Sequence, residues 1–141
     1  MSATEIRGAL LAPDGGFRSD ATTIAGQPAV VREPGAGDWL FSGEKAREWL
    51  GLAPEASADD VRTAAKTDAG RGLDAALLVR VLFDTNGQRV FSDVDADVLR
   101  AQWGPQYARI VTRALALATL DTPSPVDDAK NGSPETQAVS S

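Results

Sequence analysis

The sequence predicts a mainly α-helical protein: a small helical domain with an N-terminal two-stranded β-hairpin and a disordered C-terminal tail. Three observations favour this fold class. Aliphatic residues recur at helical spacing through most of residues 73–120. β-Branched residues cluster on both sides of Gly26, as they do in a hairpin. From residue 122 onward the chain has three prolines among small polar residues and few apolar ones, a composition that cannot offset the entropic cost of ordering.

The length of 141 residues suits one core-forming domain. We expect an N-terminal arm at 1–16, the hairpin plus helical domain at 17–121, and the disordered tail at 122–141. In the arm, Ile6, Leu10 and Leu11 could share one face of a short helical turn. Such an arm is either mobile, held on the domain by a few leucines, or binds a partner.

The composition excludes several classes of function. Histidine and cysteine are absent, which removes disulfides, thiolate nucleophiles and imidazole or thiolate metal ligands. The net charge is −6 and the arginines are scattered, which disfavours nucleic-acid binding. No apolar run reaches the length of a membrane span, and the first ten residues lack the pattern of a signal peptide. We therefore expect a soluble intracellular protein that has no cofactor and binds another protein.

The hairpin is expected between Phe17 and Glu33. A glycine that begins a two-residue loop fits a type II′ turn, which places the turn at Gly26-Gln27. Pro28 cannot donate a ladder hydrogen bond, so it belongs at the start of its strand or on an edge. Because a lone hairpin is marginally stable in water, it must pack on the helices or be extended by a partner's strand.

Five helices are expected in the domain. The helix at 42–50 is expected to be capped by Ser42 and Gly51, and the helix at 58–68 by a Ser57–Asp60 capping box. The helix at 73–83 should lie at the centre of the core, because apolar residues cover most of its circumference. In the helix at 93–103, Val94, Val98, Leu99 and Trp103 are expected to face inward. The expected ranges are 42–50, 58–68, 73–83, 93–103 and 105–120, the last beginning at Pro105.

The loop DTNGQRVFSD at 84–93 could be taken for an EF-hand loop. In that register Leu82 would occupy the first ligand position and Asp93 would replace the bidentate glutamate, which argues against calcium. Asn86-Gly87 instead indicates a tight turn, after which Val90 and Phe91 return to the core.

The carboxylates Asp93, Asp95 and Asp97 lie at the expected start of the fourth helix. Residues two apart on a helix do not share a face, so they make a poor acid–base pair. Capping of the first helical turn explains them better, and Ser92 with Asp95 would form the capping box. We predict no catalytic site and no metal site.

The stretch LLVRVLFDTNGQRVFSDVDADVL, followed by an aromatic residue, Gly-Pro and a further helix, resembles the tail assembly chaperones of long-tailed, siphovirus-type bacteriophages and their prophages. The upstream run from Val30 to Pro34, with Gly37-Asp38, is similar to that family's second strand and its exit. The resemblance covers residues 22–120 and departs from the family pattern at 53–69 and in the tail. The matching positions around the turn are Val81-Leu82, Asp84, Asn86-Gly87, Arg89, Val90-Phe91, Ser92-Asp93 and Val94 to Asp97.

The resemblance implies a non-enzymatic role in the cytoplasm of the bacterial host. Such a chaperone coats the tape measure protein, keeps it soluble, helps to recruit tail tube subunits and is absent from the mature virion. In the family a ribosomal frameshift often yields a longer form that binds the tube protein, and Lys130-Asn131 lies where the slippery codons could be. The alternative is a structural connector or tail-completion subunit that stays in the virion. Self-association is also possible.

Large aromatic side chains are the candidate partner contacts, because such residues are enriched at interface hot spots. Burial in the core explains the same side chains equally well. The candidates are Trp39, Phe41, Trp49, Trp103 and Tyr107.

Overall fold

The computed structural model describes residues 2–12 and 15–119. The elements are α1 Ala3–Leu11, β1 Ser19–Ile24, β2 Gln27–Arg32, α2 Ala36–Leu50, α3 Ala58–Ala65, α4 Ala75–Val81, β3 Leu82–Phe83, α5 Ala96–Ala101 and α6 Pro105–Ala118, with 3₁₀ turns at Asp68–Gly70 and Asp93–Asp95. The mainly helical class with an N-terminal hairpin is therefore confirmed. The expected tail at 122–141 lies outside the described residues. No helix within the described ranges is long and apolar enough to cross a membrane.

Helix α4 lies at the centre of the core, as its sequence predicts. All of its side chains except that of Arg80 are buried, and α2, α5 and α6 pack around it. The expected end at Phe83 was wrong, because the helix stops at Val81 and Leu82 has extended backbone angles. Leu82 and Phe83 pair with Val31 and Val30 of the hairpin. The bonding partners offered by β2 thus override the helical pattern of the sequence.

The sheet has the strand order β1-β2-β3, and its β1–β2 face packs on α6. The hairpin turn differs from the type II′ turn expected at Gly26-Gln27. Gln27 pairs with Ile24, so Ala25 and Gly26 form the loop, and both have positive φ, as a type I′ turn requires. Pro28 is the second residue of β2 and precedes the part of β2 that pairs with β3, which agrees with its expected position near a strand start.

Helix α2 begins six residues before the expected start, so Ser42 lies inside the helix and does not cap it. The N-terminal cap is Gly35, whose N–H donates to Asp38 Oδ2 at 2.8 Å. The run of aromatic residues that follows is therefore helical. At the other end, Gly51 has the left-handed conformation expected of a C-terminal glycine.

The Ser57–Asp60 and Ser92–Asp95 capping boxes are present, and α6 begins at Pro105. Helix α3 is shorter than expected, because it ends at Ala65 and residues 68–70 form a separate 3₁₀ turn. The N-terminal arm contains a complete helix, α1, with no buried side chain.

The expected inward face of the fourth predicted helix was partly wrong. Val94 is 80% and Val98 56% exposed, whereas Ala96 and Leu99 are buried. Residues 93–95 form a 3₁₀ turn, whose tighter winding changes the phase of the helix that follows. Val90 is also exposed at 47%, contrary to expectation, although Phe91 packs partly on the core.

A network of ion pairs joins four segments around Arg80, the charged residue of α4. Arg80 Nε donates to Asp38 Oδ1 of α2 at 3.1 Å, and its Nη1 donates to Asp93 Oδ2 at 3.1 Å. Arg89, after β3, donates to Asp93 Oδ1 at 2.7 Å and to the carbonyl of Val79 at 2.7 Å. Asp38 is only 8% exposed. We call Arg80, Asp38, Asp93 and Arg89 the central ion network.

Arg32, at the end of β2, lies beside this network. Its Nη2 is 3.8 Å from Asp38 Oδ2. Its guanidinium carbon is 4.4 Å from the ring centre of Phe17 and 4.5 Å from that of Phe83, distances at which cations are attracted to aromatic faces. The hairpin is thereby fixed to the start of α2 and to β3.

Replacing Arg80 by methionine is expected to lower the free energy of unfolding by about 3 kcal/mol, because the buried Asp38 carboxylate loses its nearest cation. Urea denaturation measures the change. Arg113→Met is the matched control, since Arg113 pairs with Asp20 where both side chains are nearly half exposed, and such a pair contributes less than about 1 kcal/mol. Equal losses in the two variants would contradict the assigned role of the network.

Candidate partner-binding surface

The structure does not gather the five candidate aromatic residues into one patch. Trp39, in the first turns of α2, is 50% exposed, and the next residue, Leu40, is 65% exposed. Phe41, Trp49 and Tyr107 are partly buried and pack against the core. The Arg80 guanidinium carbon is 5.0 Å from the centre of the Phe41 ring, which places this ring in the interior contacts of the fold.

Trp49 is held by charged side chains on both α2 and α5. Its ring centre is 5.2 Å from Lys45 Nζ and 5.0 Å from the guanidinium carbon of Arg100. Its indole N–H donates to Asp97 Oδ1 at 2.6 Å, and Lys45 forms an ion pair with the other oxygen of Asp97 at 3.4 Å. Trp49 therefore joins two helices, and its polar atom already has a partner.

Trp103 and Tyr107 stack with their ring centres 5.5 Å apart, across the Gly104–Pro105 corner that separates α5 from α6. Both pack against the core. Tyr107 also lines an open depression in the surface.

This depression, which we call the apolar groove, has a volume of about 310 Å³ and lies beside the part of β2 that β3 does not reach. Leu82, Val90 and Phe91 form one wall, and α6 forms the other through Tyr107 and Ile110. Its complete lining is Ile24, Gln27, Pro28, Ala29, Leu82, Asp84, Val90, Phe91, Tyr107 and Ile110. A groove lined mainly by apolar side chains with few polar groups is typical of a binding site.

Most of the groove was missed by sequence reasoning, which identified only Tyr107 as a contact. Pro28 carried the available signal, because a proline in a strand indicates an edge that is not fully paired. Leu82 and Val90 reach that edge because the chain changes from helix to strand after Val81. The helical pattern of the sequence does not indicate this change.

The loop at 84–88 uses its polar groups internally. The Asp84 carboxylate accepts hydrogen bonds from the N–H groups of Asn86 and Gln88 at 2.8 and 2.9 Å. Gly87 has a φ of +83°, a conformation that favours glycine. Within residues 2–12 and 15–119, no group of three or more acidic side chains is placed to hold a metal ion. The loop is a structural turn next to the groove.

The pKa values of two carboxylates reflect these contacts. The hydrogen bond from the Trp49 indole lowers the pKa of Asp97, and the charges of Lys45 and Arg100 add to the effect. Partial desolvation would raise the pKa of Asp93, but the hydrogen bond from Arg89 and the charges of Arg80 and Arg89 lower it overall.

Comparisons with known proteins agree with this architecture. Residues 5–131 match the family described as phage tail assembly chaperone. A solved structure of the bacteriophage HK97 tail assembly chaperone superposes with a TM-score of 0.59 at 25% sequence identity, covering 82% of this chain and 99% of the HK97 chain. A search of curated proteins gave no significant match.

The fold is that of a small, mainly helical protein with an open apolar groove. The family match spans most of the sequence. The chain belongs to the phage tail assembly chaperone family.

Trp49→Phe is expected to raise the pKa of Asp97 towards its ordinary value, because the indole hydrogen bond to the carboxylate is lost. Titration of the side-chain carboxyl carbons by NMR measures this change, and Asp93 in the same sample is the control. An unchanged Asp97 titration would contradict the assignment.

The same two carboxylates predict a loss of stability in acid. Their folded pKa values lie below the unfolded values, so their contribution is fully present above the unfolded pKa of about 4. It is lost as the pH falls through that value towards the folded pKa. Urea unfolding at a series of pH values should show this decrease, with a smaller decrease in Asp97→Asn. An equal decrease in the variant would be evidence against the contribution of Asp97.

Proposed function

We propose that this chaperone binds the tape measure protein of its phage, keeps it soluble in the cytoplasm of the bacterial host, and helps to recruit tail tube subunits around it. Family membership supports a role in tail assembly. The apolar groove is the observation that carries the proposal, because it offers an apolar partner segment a pre-formed place on the surface.

The chemistry of the groove favours bulky apolar side chains. Its walls are mainly aliphatic and aromatic, and Asp84 and Gln27 are the polar residues of its lining. Burying one large apolar side chain contributes about 1.5–3 kcal/mol. A long protein with many such side chains would gain from repeated contacts with several copies of the chaperone, each covering a segment that would otherwise aggregate.

Trp39 and Tyr107 are the proposed direct contacts among the five candidate residues. Tyr107 lines the groove, and Trp39 with Leu40 forms a second exposed apolar patch on α2. Phe41, Trp49 and Trp103 make intramolecular contacts that would have to be broken before they could bind a partner. The net charge of −6 would help to keep the complex in solution.

We propose no catalytic step for the described residues. A chaperone leaves after assembly, so mass spectrometry of purified virions should detect the tail proteins without this chain. Finding it there at stoichiometric amounts would support a connector or tail-completion subunit instead.

Val90→Asp is expected to reduce the amount of tape measure protein that co-purifies after co-expression by about tenfold or more, since a carboxylate replaces an apolar wall of the groove. Val94→Asp is the matched control, because Val94 is 80% exposed and lies outside the groove. Circular dichroism checks that both variants fold. Equal recovery of tape measure protein with both variants would reject the groove as its binding site.

A further inference from the structure

Strand β1 leaves one side of its backbone open. It is the outermost strand of the sheet, and no described segment pairs with its other edge. The N–H of Glu33 donates to the carbonyl of Arg18 at 2.9 Å, which fixes the alternation of the ladder. Asp20, Thr22 and Ile24 therefore bond to β2, and Ser19, Ala21 and Thr23 direct their N–H and C=O groups outward.

In the part of the chain that the structure describes, β1 lacks the usual devices that protect an edge strand. Proteins guard such edges with lysine, proline, a bulge or a covering segment. The sequence of β1 is SDATTI, which has no lysine or proline, and its pairing with β2 runs without a bulge through six consecutive residue pairs. The charge of Asp20 is already paired with Arg113 at 2.7 Å. This edge is thus suited to accept another strand.

A second groove runs between β1 and α6, with a volume of about 310 Å³. Thr22, Thr23 and Ile24 form its β1 side, and Gln106, Arg109 and Arg113 lie on its α6 side. A strand added to β1 would place alternate side chains over this groove. A suitable ligand is therefore an extended chain whose alternate side chains fit a lining that combines polar and basic residues with the apolar Ile24, Val31 and Ile110.

Arg109 gives the groove its charge preference. It is exposed, and within residues 2–12 and 15–119 it forms no hydrogen bond or ion pair. In contrast, Arg113 is engaged by Asp20. A guanidinium that has no ion-pair partner among the described residues, beside an open strand edge, favours a carboxylate on the incoming strand, because Arg binds carboxylates through charge-assisted hydrogen bonds. The local positive charge stands out in a protein with a net charge of −6.

We propose that β1 binds an extended acidic segment of a partner protein, which adds a fourth strand to the sheet and pairs a carboxylate with Arg109. Backbone hydrogen bonds to Ser19, Ala21 and Thr23 provide affinity, and Arg109 selects acidic segments. The inference rests on the proposed function only for the identity of the protein that carries the segment. The site shares Ile24 and Ile110 with the apolar groove, but Thr22, Thr23 and Arg109 line only the groove beside β1.

A second copy of this chain is the less suitable occupant of the edge. Pairing of two β1 strands would bring SDATTI against itself, and its carboxylate, Asp20, is already paired with Arg113. Such pairing would leave Arg109 without an anionic partner. The acidic segment satisfies both the backbone and the guanidinium.

The test uses the full chain and a synthetic peptide of about eight residues that alternates valine with glutamate. Fluorescence anisotropy measures binding, and hydrogen exchange measures protection of the outward N–H groups of Ala21 and Thr23. Binding is expected to weaken about tenfold in Arg109→Glu. Arg62→Glu is the charge-matched control, because Arg62 lies on α3 and forms an ion pair with Asp59 of the same helix. A peptide with lysine in place of glutamate should bind more weakly than the acidic one.

Ala21→Pro removes one outward donor and leaves the bonds between β1 and β2 in place, so it should also weaken binding. Arg109→Glu keeps the test valid if the proline variant does not fold. Val90→Asp should bind the peptide normally, which separates this site from the apolar groove. Absence of peptide binding, equal binding of the lysine peptide, or dimerisation of the free chain that Ala21→Pro abolishes would overturn the proposal.

Discussion

The ion pair between Arg80 and Asp38 is the interaction on which the arrangement of elements depends. Arg80 is the charged residue on a helix whose other side chains are buried, and Asp38 is itself nearly buried while it caps α2. Each charge would be costly in the interior without the other. Since Arg80 also holds Asp93, and Asp93 holds Arg89, the orientation of α2, the start of α5 and the turn after β3 are fixed by one connected set of charges.

Several of the residues that carry the family resemblance belong to this network or lie beside it. Arg89 and Asp93 belong to the turn pattern, and Arg32 belongs to the strand exit. All three have structural partners. This part of the sequence pattern therefore reflects contacts that stabilise the fold. Other residues of the same pattern, Leu82, Asp84, Val90 and Phe91, line the apolar groove. Trp39 and the edge of β1 lie outside the matching positions.

Sequence reasoning predicted the class of fold, the hairpin, the central position of α4, the capping box of α3 and the start of α6 at Pro105, because these features depend on local chemistry and periodicity. It failed where tertiary contacts decide the outcome. Leu82 and Phe83 continue the helical pattern of the sequence but form the third strand of the sheet. Val94 and Val98 were expected to face inward, but the 3₁₀ turn at 93–95 changes the helical phase and both side chains are exposed. The groove could not be predicted, since its walls come from segments more than fifty residues apart, as Ala29 and Val90 illustrate. Trp39 and Trp49 were both candidate partner contacts because of their residue type. The structure distinguishes them, since Trp39 is exposed and Trp49 packs against the core.

The apolar groove is proposed to cover apolar segments of the tape measure protein. Hydrogen–deuterium exchange of the chain, alone and in complex with that protein, tests this role most directly. Exchange is expected to be slower at residues 24–29 and 82–91 in the complex, with little change in α3, which lies away from the groove. Unchanged exchange in both groove segments, with protection confined to α3, would contradict it.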